Sequence, residues 1–86
     1  MKNELSIRTV LSVYEKIIDH GEVVDERHVL EGITGYTDHD GYTVYLEGLR
    51  VKLWTGFHNT YHLDYESERD AENFMKKLNY IDNNYD

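Results

Sequence analysis

The clearest pattern along the chain is a two-residue alternation. It runs through Gly41-Tyr42-Thr43-Val44-Tyr45-Leu46-Glu47-Gly48-Leu49-Arg50-Val51-Lys52-Leu53-Trp54-Thr55 and resumes at Thr60-Tyr61-His62-Leu63-Asp64-Tyr65. Side chains in a strand point alternately to opposite faces. Tyr42, Val44, Leu46, Val51, Leu53, Tyr61, Leu63 and Tyr65 therefore share an apolar face. Thr43, Tyr45, Glu47, Lys52, Trp54, His62 and Asp64 share a mixed one. Three consecutive antiparallel strands keep these faces aligned, whereas a slip of one residue inverts a strand. A type II′ turn at Gly48-Leu49 pairs Leu46 with Val51 and Val44 with Leu53; a turn at Glu47-Gly48 preserves the same faces, so both remain open. A three-residue loop, Phe57-His58-Asn59, pairs Leu53 with Leu63, Lys52 with Asp64 and Trp54 with His62. It places Asn59 in the left-handed region, which Asn tolerates.

A different period flanks this sheet. From Ser6 to His20, Ile7, Val10, Leu11, Tyr14, Ile17 and Ile18 recur every three or four residues, the stripe of an amphipathic helix. Asn3 or Ser6 can cap its start, and Gly21 is placed to end it in a left-handed turn. A second helix begins at Ser67. Ser67 and Asp70 have capping-box spacing, acidic residues crowd the first turn, and Lys76 and Lys77 follow near the end. Its stripe is Ala71, Phe74, Met75 and Leu78, and it is expected to end near Asn79, with Asp82 to Asp86 frayed. Between the first helix and the sheet, Glu22 to Arg27 reads as irregular apart from a short extended piece at Val23-Val24. His28 to Thr34 reads as an edge strand weakened or bulged at Gly32. Gly35 to Gly41 reads as the longest loop.

These elements predict one α+β domain over residues 1–86. It is a three- to four-stranded antiparallel meander with an N-terminal and a C-terminal helix on the Val44/Leu46/Leu53/Leu63 face, in the order α-β-β-β-β-α. A chain of 86 residues supports a single modest core. Composition then excludes several chemistries. There is no cysteine, hence no disulfide, thiolate nucleophile or cysteine metal site. The opening residues lack the apolar run of a signal peptide, and no segment approaches the length of a membrane span, so a soluble cytoplasmic protein is expected. Seventeen acidic residues against nine basic ones give a net charge of −8, which disfavours direct nucleic-acid binding.

Candidate chemistry is sparse. Asp38-His39-Asp40-Gly41 resembles the centre of a calcium loop, with Asp38, Asp40, Gly41 and Glu47 at its third, fifth, sixth and twelfth positions. Tyr36, however, stands where the first carboxylate ligand belongs, and the strand-like alternation after Gly41 replaces the motif's helix. An Asp/Gly turn bonding its own amides explains the cluster more simply. Among the five histidines, His58 and His62 approach each other across a turn, with Asp64 or Asp38 as a third ligand; scattered surface histidines are the commoner arrangement. Ser6, Ser12 and Ser67 fall on helices or caps, and no nucleophile elbow or phosphate-cradling loop is present. No catalytic residue and no cofactor are expected.

At Asp40-Gly41-Tyr42-Thr43-Val44-Tyr45-Leu46 and Phe57-His58-Asn59-Thr60-Tyr61 the chain resembles a small uncharacterised gammaproteobacterial family, catalogued as a domain of unknown function. The similarity runs from the first helix to the last. The resemblance implies a stand-alone bacterial protein of this length and brings no activity, ligand or functional residue with it.

The mixed sheet face is the strongest functional lead. Tyr45, Trp54 and His62 lie on it beside Lys52, and Tyr and Trp are enriched at interaction hot spots. The expected function is a non-enzymatic interaction module that binds an unknown protein partner or a second copy of itself through this face. Two alternatives stand beside it: a cation or small-ligand site at Asp38, His39 and Asp40, and an acidic protein occupying a basic partner surface.

Overall fold

The computed structural model describes residues 5–86. Helix α1 spans Ile7–His20 and helix α2 spans Glu68–Asn84. Between them run six strands: β1 Glu22–Val24, β2 Arg27–Leu30, β3 Ile33–Thr37, β4 Val44–Gly48, β5 Val51–Thr55 and β6 Tyr61–Asp64. They form one antiparallel sheet in the order β1-β2-β3-β4-β5-β6, a pure meander. The α+β class and the two flanking helices are as the sequence predicts; the sheet has six strands instead of three or four.

The extra strands come from the segment read as irregular and as an edge. Glu22 to Leu30 is a tight hairpin, with Val24 paired to Arg27. The expected edge strand is two strands folded about Glu31-Gly32, with Leu30 paired to Ile33. Gly32 is thus the second residue of a turn, at φ 79°, and marks no bulge. Gly35 to Thr37 belong to β3, and the loop that follows is correspondingly short.

Three two-residue turns, at Asp25-Glu26, Glu31-Gly32 and Leu49-Arg50, have positive φ at both central residues. That is the type I′ geometry, whose twist matches paired strands. The β4–β5 turn therefore lies at neither expected position, one residue later than Gly48-Leu49 and two later than Glu47-Gly48, and pairs Gly48 with Val51, Leu46 with Leu53 and Tyr45 with Trp54. The faces are preserved because the register has moved by an even number of residues. Gly48 stays in the strand for reasons of space: a Cβ there would lie 2.5 Å from the carbonyl oxygen of Gly32. The β5–β6 register agrees with expectation, with Leu53 opposite Leu63 and Trp54 opposite His62. Asn59 is left-handed as predicted, and His58 joins it.

Ser6 caps α1 by accepting the Thr9 amide, and Ser67 caps α2 by accepting that of Asp70, both at 3.1 Å. Asn3 lies outside the described residues. Gly21 does not enter the left-handed region; its φ is −82°. A Cβ on it would meet the carbonyl oxygens of Ile17 and Val29, each at 2.6 Å, so the helix turns into β1 through a gap that only glycine leaves.

Both helices cover one face of the sheet. The core joins Leu5, Val10, Val13 and Ile17 with Ile33, Leu46, Val51 and Leu53, and with Phe74, Leu78 and Ile81. Tyr42, assigned by alternation to this face, instead lies in the β3–β4 loop and is 87% exposed. Helix α2 runs past Asn79 because its end is tied down. Ile81 is fully buried. Asp82 accepts the Ser12 hydroxyl at 2.6 Å and pairs with Lys16 at 3.1 Å. The Tyr85 hydroxyl donates to Glu31, and its ring packs against His20. The segment expected to fray is a latch between the two helices and the β2–β3 turn.

Candidate functional site

The meander register decides what stands on the other face. Tyr36 is opposite Tyr45, Tyr45 opposite Trp54, and Trp54 opposite His62. These side chains form one row across four strands. The Tyr36 and Tyr45 rings stack at 4.8 Å between centroids, and Trp54 stacks with His62 at 5.4 Å. At the Tyr36 end, the Arg27 guanidinium lies 3.8 Å from the ring centroid, a cation–π contact that extends the row to β2.

A second row runs beside the first. Thr34 is opposite Glu47, Glu47 opposite Lys52, and Lys52 opposite Asp64. Lys52 lies 3.7 Å from Glu47 and 5.4 Å from the centroid of the Tyr45 ring. The Tyr36 hydroxyl donates to the Glu47 carboxylate and so links the rows. Burial of the phenol, reinforced by this neighbouring carboxylate, pushes the Tyr36 hydroxyl up to about 12. Tyr45, Lys52, Trp54 and Asp64 line a shallow hollow where the rows meet. All four predicted interaction residues, Tyr45, Lys52, Trp54 and His62, thus share one face and are contiguous.

The structure adds two residues to this surface, Arg27 and Tyr36. Arg27 and Tyr36 were hidden because the sequence reads their segments as irregular and as a loop. Phe57, 89% exposed, stands in the β5–β6 loop at the same sheet end as Tyr42. These loops adjoin the end of the sheet that carries the aromatic row, and the Thr55 hydroxyl accepts the Val44 amide between them.

The acidic loop is arranged differently from a cation site. The Asp38 carboxylate accepts the amides of Tyr42 and Thr43 at 3.1 and 3.3 Å. Those bonds, the one from Thr43 foremost, hold Asp38 below the usual carboxylate range. Asp40 and His39 are exposed, and Glu47 belongs to the open sheet face. His62 is engaged with Trp54, while His58 sits in the exposed loop. Among the described residues no group of three His, Asp or Glu side chains gathers as a metal ion would require. None of the described helices is long and apolar enough to cross a membrane.

Residues 5–86 match the family model described as "Protein of unknown function (DUF3081)". The chain belongs to this family. The match spans both helices and all six strands, so the aromatic row and its charged neighbour lie wholly inside the family domain. No curated protein and no solved structure matches this member of the family.

Proposed function

We propose that the chain is a non-enzymatic interaction module that docks a partner protein on the open sheet face. The observation that carries this reading is the contiguous row Arg27, Tyr36, Tyr45, Trp54 and His62 on the face opposite both helices. Tyr36 stacks on Tyr45 and Trp54 on His62, contacts that restrict the rings and so reduce the side-chain entropy lost on binding. The flanking row Glu47, Lys52 and Asp64 supplies charges of both signs at the rim. An aromatic centre with a polar margin is the arrangement of a protein interface. The partner that fits presents an apolar surface to the rings and polar groups to the margin.

The test is affinity capture from the native cell with wild-type chain and with Trp54→Ala and Tyr45→Ala. Both substitutions lie away from the core, so the variants fold and lose the partner, while a change on the exposed side of α1, such as Glu15→Ala, retains it. Binding that survives added salt supports the aromatic face. Binding that collapses with salt and ignores Trp54→Ala points instead to the net charge of −8 and a basic partner.

A further inference from the structure

The sheet has two edges, and β6 is the better prepared to receive another strand. No strand lies beside its outer edge among the described residues. The amide of Gly56 donates to the carbonyl of Thr60 at 2.8 Å, just beyond the β5–β6 pair. Antiparallel hydrogen bonding alternates along a strand. His62 and Asp64 therefore bond to β5, and Tyr61 and Leu63 direct their N–H and C=O groups outward.

We propose that β6 pairs antiparallel with β6 of a second copy, about a two-fold axis at Leu63, to give a continuous twelve-stranded sheet. Helices must stay on one side of that sheet, which restricts the register to steps of two. Centring on Leu63 sets His62 opposite the second copy's Asp64, twice, in non-hydrogen-bonded positions where facing side chains come closest. The imidazole N–H donates to the carboxylate in each pair. On the helix side, Leu63 meets Leu63 and Tyr61 meets Tyr65. Tyr65 is 43% exposed in the single chain, and such pairs of aromatic rings stabilise neighbouring strands. Centring on Asp64 sets two carboxylates against each other, and centring on His62 discards the unlike pairs. At the other edge, β1 is three residues long, begins with Glu22 and runs into Asp25 and Glu26, so two copies there bring six carboxylates together. Pairing at β6 leaves the open aromatic faces uncovered and makes them continuous, so the inference stands independently of the docking reading.

Sedimentation equilibrium of the full chain over a concentration series is expected to show a species of twice 10.2 kDa. His62→Asp places carboxylates opposite carboxylates and is expected to shift the chain to monomer. The exchanged pair, His62→Asp with Asp64→His, restores the dimer. The chain lacks cysteine, so Leu63→Cys introduces a single thiol. Facing Cα atoms in a hydrogen-bonded pair lie ~5.5 Å apart, within disulfide reach. Mild oxidation is expected to crosslink Leu63→Cys and to leave Lys52→Cys, on the open face, uncrosslinked. A monomer at every concentration overturns the proposal, as does a dimer that ignores His62→Asp. Crosslinking of Lys52→Cys in place of Leu63→Cys overturns it too and moves self-association to the aromatic face.

Discussion

Tyr36 holds the two rows of the open face together. Its hydroxyl is raised from an ordinary value of 10.0 to about 12, by burial first and by Glu47 second. A group raised in the folded state contributes stability below its unfolded value and loses that contribution as pH rises through the folded one. Between these values the fold keeps Tyr36 neutral. Tyrosinate absorbance should therefore show a phenol titrating at about 12 that disappears in Tyr36→Phe, while Tyr85, raised as well by its bond to Glu31, still titrates late in that variant. Glu47→Gln should lower its midpoint part of the way only, because burial remains. A different constraint acts at Gly48. A Cβ there meets the Gly32 carbonyl oxygen at 2.5 Å, and backbone has little room to yield. Gly48→Ala should cost ~1–3 kcal/mol in urea denaturation, the usual range for overpacking. Gly21 and Gly48 also show where residue-level reading goes astray. Each suggested positive φ, yet each is required by the close approach of another segment's carbonyl, and that proximity exists only after the meander has folded.

Among the elements, the meander is built from turns that carry little local signal. Type I′ turns favour Asn-Gly or Asp-Gly, yet this chain uses Asp25-Glu26, Glu31-Gly32 and Leu49-Arg50. The central strands were legible because their side chains alternate cleanly. β1 to β3 were legible only in part: Val23-Val24 and His28 to Thr34 read as extended, but with weak alternation and no turn residues to announce the turns the division into three strands did not show. The same fact yields a prediction. Left-handed backbone is strained at a non-glycine residue, so Leu49→Asn with Arg50→Gly should stabilise the chain by ~1 kcal/mol or more and leave the Glu47–Lys52 register intact. Helix α2 behaves in the opposite way. Its last turn has poor helix formers, and tertiary contacts to Ser12 and Lys16 hold it. The Ser12 hydroxyl first, then Lys16, keeps Asp82 below the ordinary carboxylate range. A depressed carboxylate contributes above its unfolded value and loses that contribution as pH falls through the folded one. Asp82→Asn should therefore lower stability at neutral pH and flatten the acid limb of the stability profile, as followed by circular dichroism.

At the scale of the molecule, one face of the sheet is spent on the core and the other is left to the aromatic row. That division was readable from alternation alone, which placed Tyr45, Lys52, Trp54 and His62 on a single face before any strand pairing was known. Arg27 and Tyr36 were beyond its reach, since their place depends on strands the pattern did not reveal. The acidic loop shows the converse: Asp38 and Asp40 have suggestive spacing, but the Asp38 carboxylate is taken up in closing the β3–β4 connection. The sheet face is proposed as the docking surface. Titrating the isotope-labelled chain with the partner recovered by capture, and following each backbone amide by NMR, tests it most directly. Shifts are expected to concentrate at Tyr36, Tyr45, Lys52, Trp54 and His62, with the solvent sides of both helices unchanged. Shifts confined to α1 and α2, with Trp54 undisturbed, would contradict it.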